Sequence, residues 1–162
     1  MQKIYLSKGE GLLMDELIIQ KFDINRLDDC ADLYMKTYSQ EPWNESWKSK
    51  DVVIDFMKNH YENNYFIGFI ALKNEKIVAV SLGYKKPWIK GMEYYIDDFF
   101  VSSDYHRQGI GFKFMTAIKN DLISQNIRAI ILSTERNYPA HKFYESLDFK
   151  VLEDTIFLAV EF

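Results

Sequence analysis

The chain has 162 residues, with 20 Lys and Arg against 24 Asp and Glu, one cysteine, 48% hydrophobic and 16% aromatic residues. This composition excludes a disordered chain, a disulfide framework and an all-cysteine metal cluster, and it implies one globular domain in a reducing, cytoplasmic compartment. The net charge of -4, with no Lys/Arg run, argues against nucleic acid as a partner. The longest apolar stretch, Tyr65 to Leu72, falls far short of the roughly 18 residues a membrane span needs.

The amino terminus stands apart. Lys8-Gly9-Glu10-Gly11 is what purine-rich, ribosome-binding codons encode, and Met14 follows shortly after. The expectation is a non-native or flexible leader over residues 1–13 and a single domain over 14–162.

Glu16 to Phe22 alternates as a first strand, and Leu27, Cys30, Ala31, Tyr34 and Tyr38 then recur at helical spacing behind Asp23 and Asn25. An aromatic and acidic loop, Glu41 to Trp47, leads to a second helix with the stripe Val52, Val53, Phe56, Met57 and His60. His60 and Cys30 read there as packing residues. Period-two segments follow: Tyr65 to Leu72, a turn at Asn74-Glu75-Lys76, Ile77 to Tyr84, and Glu93 to Val101. The remainder predicts a helix over 109–125, a strand over 129–132, a short helix over 139–147 and two terminal strands. An antiparallel meander followed by strand-helix-strand gives a mixed α/β sheet flanked by helices.

The segment Val101 to Phe112 joins a strand to a helix and carries Gly109 and Gly111. Glycines let a loop turn its N–H groups inward, and the helix start adds partial positive charge, so a pyrophosphate is the natural guest. A nucleotide-triphosphate loop needs Gly-Lys-Ser/Thr at its end, which Gly111-Phe112-Lys113 lacks. A dinucleotide loop needs a third glycine where Phe114 stands.

The stretch from His106 to Gly111 resembles the [RQ]-x-x-G-x-[GA] loop of the GNAT superfamily of acetyl-CoA-dependent N-acetyltransferases, with His106 in the Arg/Gln position. Asn137 to Phe149 resembles that superfamily's later N-x-x-A-x-x-F-Y-x-x-x-G-F segment, with Tyr144 at the tyrosine and Asp148 in the glycine slot. Ile96 to Val101 resembles the strand before the loop in polyamine acetyltransferases. The resemblance implies the acyl-CoA N-acyltransferase fold, with acetyl-CoA as donor; no His, Cys, Asp and Glu cluster has metal-site spacing, so no catalytic metal is expected. The resemblance also implies a small-molecule amine acceptor and, because many members pair, a homodimer. The cofactor contacts carried over are Phe99, Phe100, Val101, Arg107, Gln108, Gly109, Ile110, Gly111, Phe112 and Asn137.

The chemistry assigns roles to those positions. Acetyl transfer from a thioester to an amine needs a polarised carbonyl, a deprotonated amine and a protonated leaving thiolate. Backbone N–H groups of Phe99, Phe100 and Val101 serve the first need if the strand bulges or splays. Asp97 is the expected base, although its neighbour Asp98 is an equal candidate, and the Tyr144 phenol is the expected acid. Asp97, Asp98 and Trp43 are also the expected contacts for a cationic acceptor such as a polyamine or an aminoglycoside-like amine. A non-catalytic acyl-CoA-binding or regulatory module, and an enzyme acting on a peptide or protein amino terminus, are the alternatives.

Overall fold

The computed structural model describes residues 17–162, so the leader expected over 1–13 lies outside the described residues. One five-stranded sheet organises the chain: β1 (Leu17–Lys21), β2 (Phe66–Lys73), β3 (Lys76–Trp88), β4 (Gly91–Val101) and β5 (Ile127–Leu132), lying side by side in that order. The first four pair antiparallel and β5 pairs parallel to β4. This is the mixed, mostly antiparallel sheet expected from the sequence.

Helices cover both faces. On one side lie α1 (Leu27–Tyr38) and α2 (Lys50–Tyr61), packed on Ile70, Val80, Leu82 and Phe100. On the other lie α3 (Ile110–Ser124) and α4 (Pro139–Glu145), packed on Phe69, Val78, Tyr94 and Ile96. Both faces of β2 and β3 are therefore buried, which explains their unbroken apolar runs. Each fully buried Phe, Ile or Leu contributes roughly 1.5–3 kcal/mol through the water it sheds. Cys30 and Met57 lie in the α1–α2 core, as their place on the apolar stripes predicts. Burial pushes the Cys30 thiol up to about 12, so it stays an inert packing group.

Two boundaries differ from the sequence expectation. The β3–β4 hairpin is longer, since β3 runs through Pro87 to Trp88 and β4 restarts at Gly91, whose φ of 128° few side chains tolerate. The two terminal strands are absent: residues 150–162 form no strand. Alternation makes a segment fit to be a strand, but a strand exists only where a neighbour accepts its backbone hydrogen bonds. No helix among the described residues is long and apolar enough to cross a membrane.

Candidate active site

The site begins with a register change in β4. Leu82 opposes Asp98 while Gly83 opposes Ile96, which leaves Asp97 as an extra residue. Gly83 permits this, because a Cβ there would stand 2.0 Å from the Tyr95 carbonyl oxygen. The extra residue reverses the alternation. Tyr94 and Ile96 face α3 before it, Phe99 and Val101 face α3 after it, and Phe100 joins the α1–α2 core.

Beyond Ile96 β4 also loses its other neighbour, since pairing with β5 covers only Met92 to Ile96. The Ser102 N–H still donates to Val78 at 2.8 Å across to β3. By the alternation of an antiparallel ladder, Phe99 and Val101 direct their backbone groups to the vacated edge. Phe100 turns its own backbone toward β3, so among the three residues expected to present N–H groups it is the one facing away. At that edge His106 Nε2 donates to the Val101 carbonyl at 2.9 Å. His106 therefore ties the loop to the end of the strand.

The loop then turns into α3. Arg107 and Gly109 take left-handed conformations, with φ of 59° and 75°, and the first intrahelical bond runs from Lys113 N–H to Gly109 at 3.0 Å. The N–H groups of Ile110, Gly111 and Phe112 precede that bond and point out of the helix end. A Cβ on Gly111 would meet the Phe143 ring at 3.2 Å and Val101 at 3.6 Å, so this glycine lets α3, α4 and β4 converge. Gln108 braces the loop by donating to the Asp104 carbonyl at 3.2 Å, and Lys36 of α1 holds the Asp104 carboxylate at 2.6 Å. Asn137 lies exposed in a left-handed turn before α4.

The adjacent carboxylates part company at the bulge. Asp97 is exposed and faces His60 Nδ1 at 3.4 Å, while the His60 ring packs on Phe56. Asp98 is buried, 7% exposed, and accepts a hydrogen bond from the Tyr38 hydroxyl at 3.2 Å. Burial pushes its carboxyl up to about 7, the Tyr38 bond opposes the rise, and the charges of Asp97 and Glu45 add to it. Asp97 was the expected base, yet Asp98 is the carboxylate with a tuned environment.

Tyr144 is buried against Phe99, Phe143 and Phe149. Burial first, and the Asp98 charge second, raise its phenol well above the ordinary tyrosine value. Asp98 and Tyr144 therefore sense each other, although they come from opposite faces of the sheet. Trp43 packs edge-on against Tyr38 at 5.6 Å and against Tyr138 at 5.1 Å, so the aromatic loop reaches the residue that holds Asp98. Sequence reasoning placed Glu45 in the acidic, aromatic loop but missed Tyr38, Gly83 and Tyr138 as site residues. Of these three, Gly83 carried a signal, being a glycine inside a strand pattern.

The model of the acetyltransferase (GNAT) family matches residues 27–149. The chain belongs to the GNAT acetyltransferase family. Its fold is similar to that of an integron cassette protein from the mobile metagenome of V. cholerae, with 20% identity, TM-score 0.77, and 91% of this chain and 93% of that one covered. It is similar also to an aminoglycoside acetyltransferase, meta-AAC0020, from an uncultured soil metagenomic sample, solved with sisomicin: 21% identity, TM-score 0.71, and 90% and 96% covered. A third similar fold is that of the aminoglycoside N-acetyltransferase AAC(6')-Iy, solved with the bisubstrate analogue CoA-S-monomethyl-acetylneamine, at 14% identity and TM-score 0.70, with 90% and 99% covered. Among curated proteins none matches the GNAT chain by sequence.

Proposed function

We propose that this protein is a cytoplasmic N-acetyltransferase that moves an acetyl group from acetyl-CoA to a primary amine of a small cationic acceptor. The observation that carries the proposal is the release of β4 from β5 after Ile96, beside a glycine-turned helix start and between Asp98 and Tyr144. The parts suit the donor: outward N–H groups at Ile110 to Phe112 match a pyrophosphate, and an unpaired strand edge matches the amides of a pantetheine arm. The solved complex of AAC(6')-Iy with a CoA bisubstrate analogue supports the same donor class.

Bound acetyl-CoA supplies a thioester carbonyl as the electrophile. The Phe99 and Val101 N–H groups at the vacated edge polarise its oxygen. Asp98, with its carboxyl near 7, takes the ammonium proton directly or through water, and Asp97 with His60 stands beside it. As the N–C bond forms and the C–S bond breaks, Tyr144 gives its proton to the departing sulfur. The nitrogen sheds its second proton through solvent to the Tyr144 phenolate, leaving a neutral amide, and Asp98 releases the first proton to solvent, so both groups are restored.

Trp43, Tyr38, Asp98 and Glu45 supply aromatic faces and negative charge for a cationic acceptor, and aminoglycoside acetyltransferases of similar fold support that class. The test is a panel of polyamines, aminoglycosides, neutral amino acids and peptides assayed by CoA release. Turnover of cationic amines is the expected result. Tight acetyl-CoA binding without turnover of any amine would instead identify an acyl-CoA-binding module, and preference for a peptide would move the acceptor class.

A further inference from the structure

The β3–β4 hairpin ends in a tip that runs past both neighbouring strands, since β2 reaches no farther than Tyr84 and β5 no farther than Met92. Trp88 opposes Gly91, which leaves Ile89 and Lys90 as a two-residue turn. At this outermost point Trp88 is 56% and Ile89 93% exposed. Lys85, Lys86 and Lys90 surround them, the Arg128 side chain lies against Gly91, and no Asp or Glu occurs from Lys76 to Met92. Positive charge is thus concentrated at one end of a chain whose net charge is -4. Among the described residues none of these four cations forms an ion pair. The Lys86 ammonium lies instead 5.3 Å from the centre of the Trp88 ring.

We propose that this tip docks the protein on an anionic phospholipid surface, with Trp88 and Ile89 entering the headgroup layer and Lys85, Lys86, Lys90 and Arg128 facing the lipid phosphates. An indole suits that depth, having an apolar body and a polar N–H, and lysine stems carry their ammonium groups outward to the phosphates. A negatively charged leaflet attracts each cation held near it. The hairpin pairs its own backbone out to Trp88 and Gly91, so the tip enters the headgroups without stranding a row of unpaired peptide groups. The backbone also turns away a strand from another protein. Lys85 directs its N–H toward β2, donating to the Tyr65 carbonyl at 2.7 Å, and alternation sends Pro87 to the same side, where β2 has ended. Proline has no N–H there, so the free margin lacks the donor that strand addition needs. The contact is one of surface and not of spanning.

Sedimentation of the full chain with vesicles of mixed phosphatidylglycerol and phosphatidylcholine, compared with vesicles of phosphatidylcholine alone, tests this. The expected results at low salt are binding to the anionic vesicles with a blue shift of tryptophan emission, and binding to the neutral ones weaker by about 10-fold or more. The K86A/K90A variant is expected to bind the anionic vesicles about 25-fold more weakly, from about fivefold for each cation removed. The W88S/I89S variant is expected to lose the blue shift and about 10-fold or more in binding, and both variants to keep the circular dichroism of the wild type. Binding to neither kind of vesicle, or to both equally, would overturn the proposal. Undiminished binding in the two double variants would also overturn it, because another face would then be the one that docks. So would capture of the chain by polyglutamate in place of the vesicles, since the tip would then serve an acidic polypeptide.

Discussion

The two sides of the opening beside β4 are built from different material. The side toward α3 is backbone: the left-handed Gly109, the close-packed Gly111, the amides that open the helix and the unpaired edge at Phe99 and Val101. The side toward α1 is side chain: Asp98 in its burial, the Tyr38 hydroxyl on it, Trp43 against Tyr38, and the charge of Glu45. Backbone recognition demands fixed residues at fixed spacing, because only glycine fits certain angles and approaches. Side-chain recognition tolerates many solutions. A common donor and a variable acceptor suit that division.

Substitutions on the side-chain half give the largest expected effect. Asp98→Asn removes the proposed base and is expected to lower kcat/KM by about 100- to 1,000-fold while leaving acetyl-CoA affinity within a few-fold, measured by steady-state kinetics and calorimetry. Asp97→Asn is expected to cost far less. Equal losses in the two variants would erase the distinction drawn between the adjacent carboxylates.

On the backbone half, Gly109→Val or Gly111→Leu is expected to weaken acetyl-CoA binding by about 100-fold, or roughly 2.7 kcal/mol. Gly109 would be strained by its φ of 75°, and Gly111 would collide with the Phe143 ring. Unchanged affinity in both variants would move the donor away from this loop. Tyr144→Phe, between the two halves, keeps the ring and loses the proton. Its expected cost is about 10- to 100-fold in kcat with little change in donor affinity.

A pH measurement sharpens the role of Tyr38. Its hydrogen bond lowers the Asp98 carboxyl, which burial has raised to about 7. Tyr38→Phe is therefore expected to move the acidic limb of the kcat/KM profile to higher pH. Stability carries the same sign. Since Asp98 binds its proton more tightly folded than unfolded, its contribution is fully present below about pH 4 and is lost as pH rises through about 7. Asp98→Asn is then expected to raise Tm at pH 8 relative to wild type and to leave it nearly unchanged at pH 4. A variant less stable at pH 8 would contradict the raised carboxyl.

The smallest effect lies outside both halves. Asp148 closes α4 with a φ of 66°, which glycine adopts more cheaply. Asp148→Gly is expected to stabilise the fold by about 0.5–1 kcal/mol in urea denaturation, with no effect on turnover.

The same line between backbone and side chain separates local signals from long-range ones. The order of elements from β1 to α4, the mixed sheet and the glycine-bearing turn into α3 were legible, because period-two and helical patterns and the glycines Gly109 and Gly111 are local signals. The left-handed turn at Asp148 falls where the resembled segment carries its glycine. Tertiary structure alone decided which carboxylate is buried. Asp97 and Asp98 are equivalent in composition, and a bulge permitted by Gly83, on the neighbouring strand, sends one toward water and His60 and the other under Tyr38. It also decided that Tyr38, to all appearance one more residue on a helical stripe, holds that carboxylate. The alternation at 155–162 predicts a strand, yet residues 150–162 form none, because hydrogen-bond partners in a sheet are set by the approach of distant segments, which no local pattern supplies.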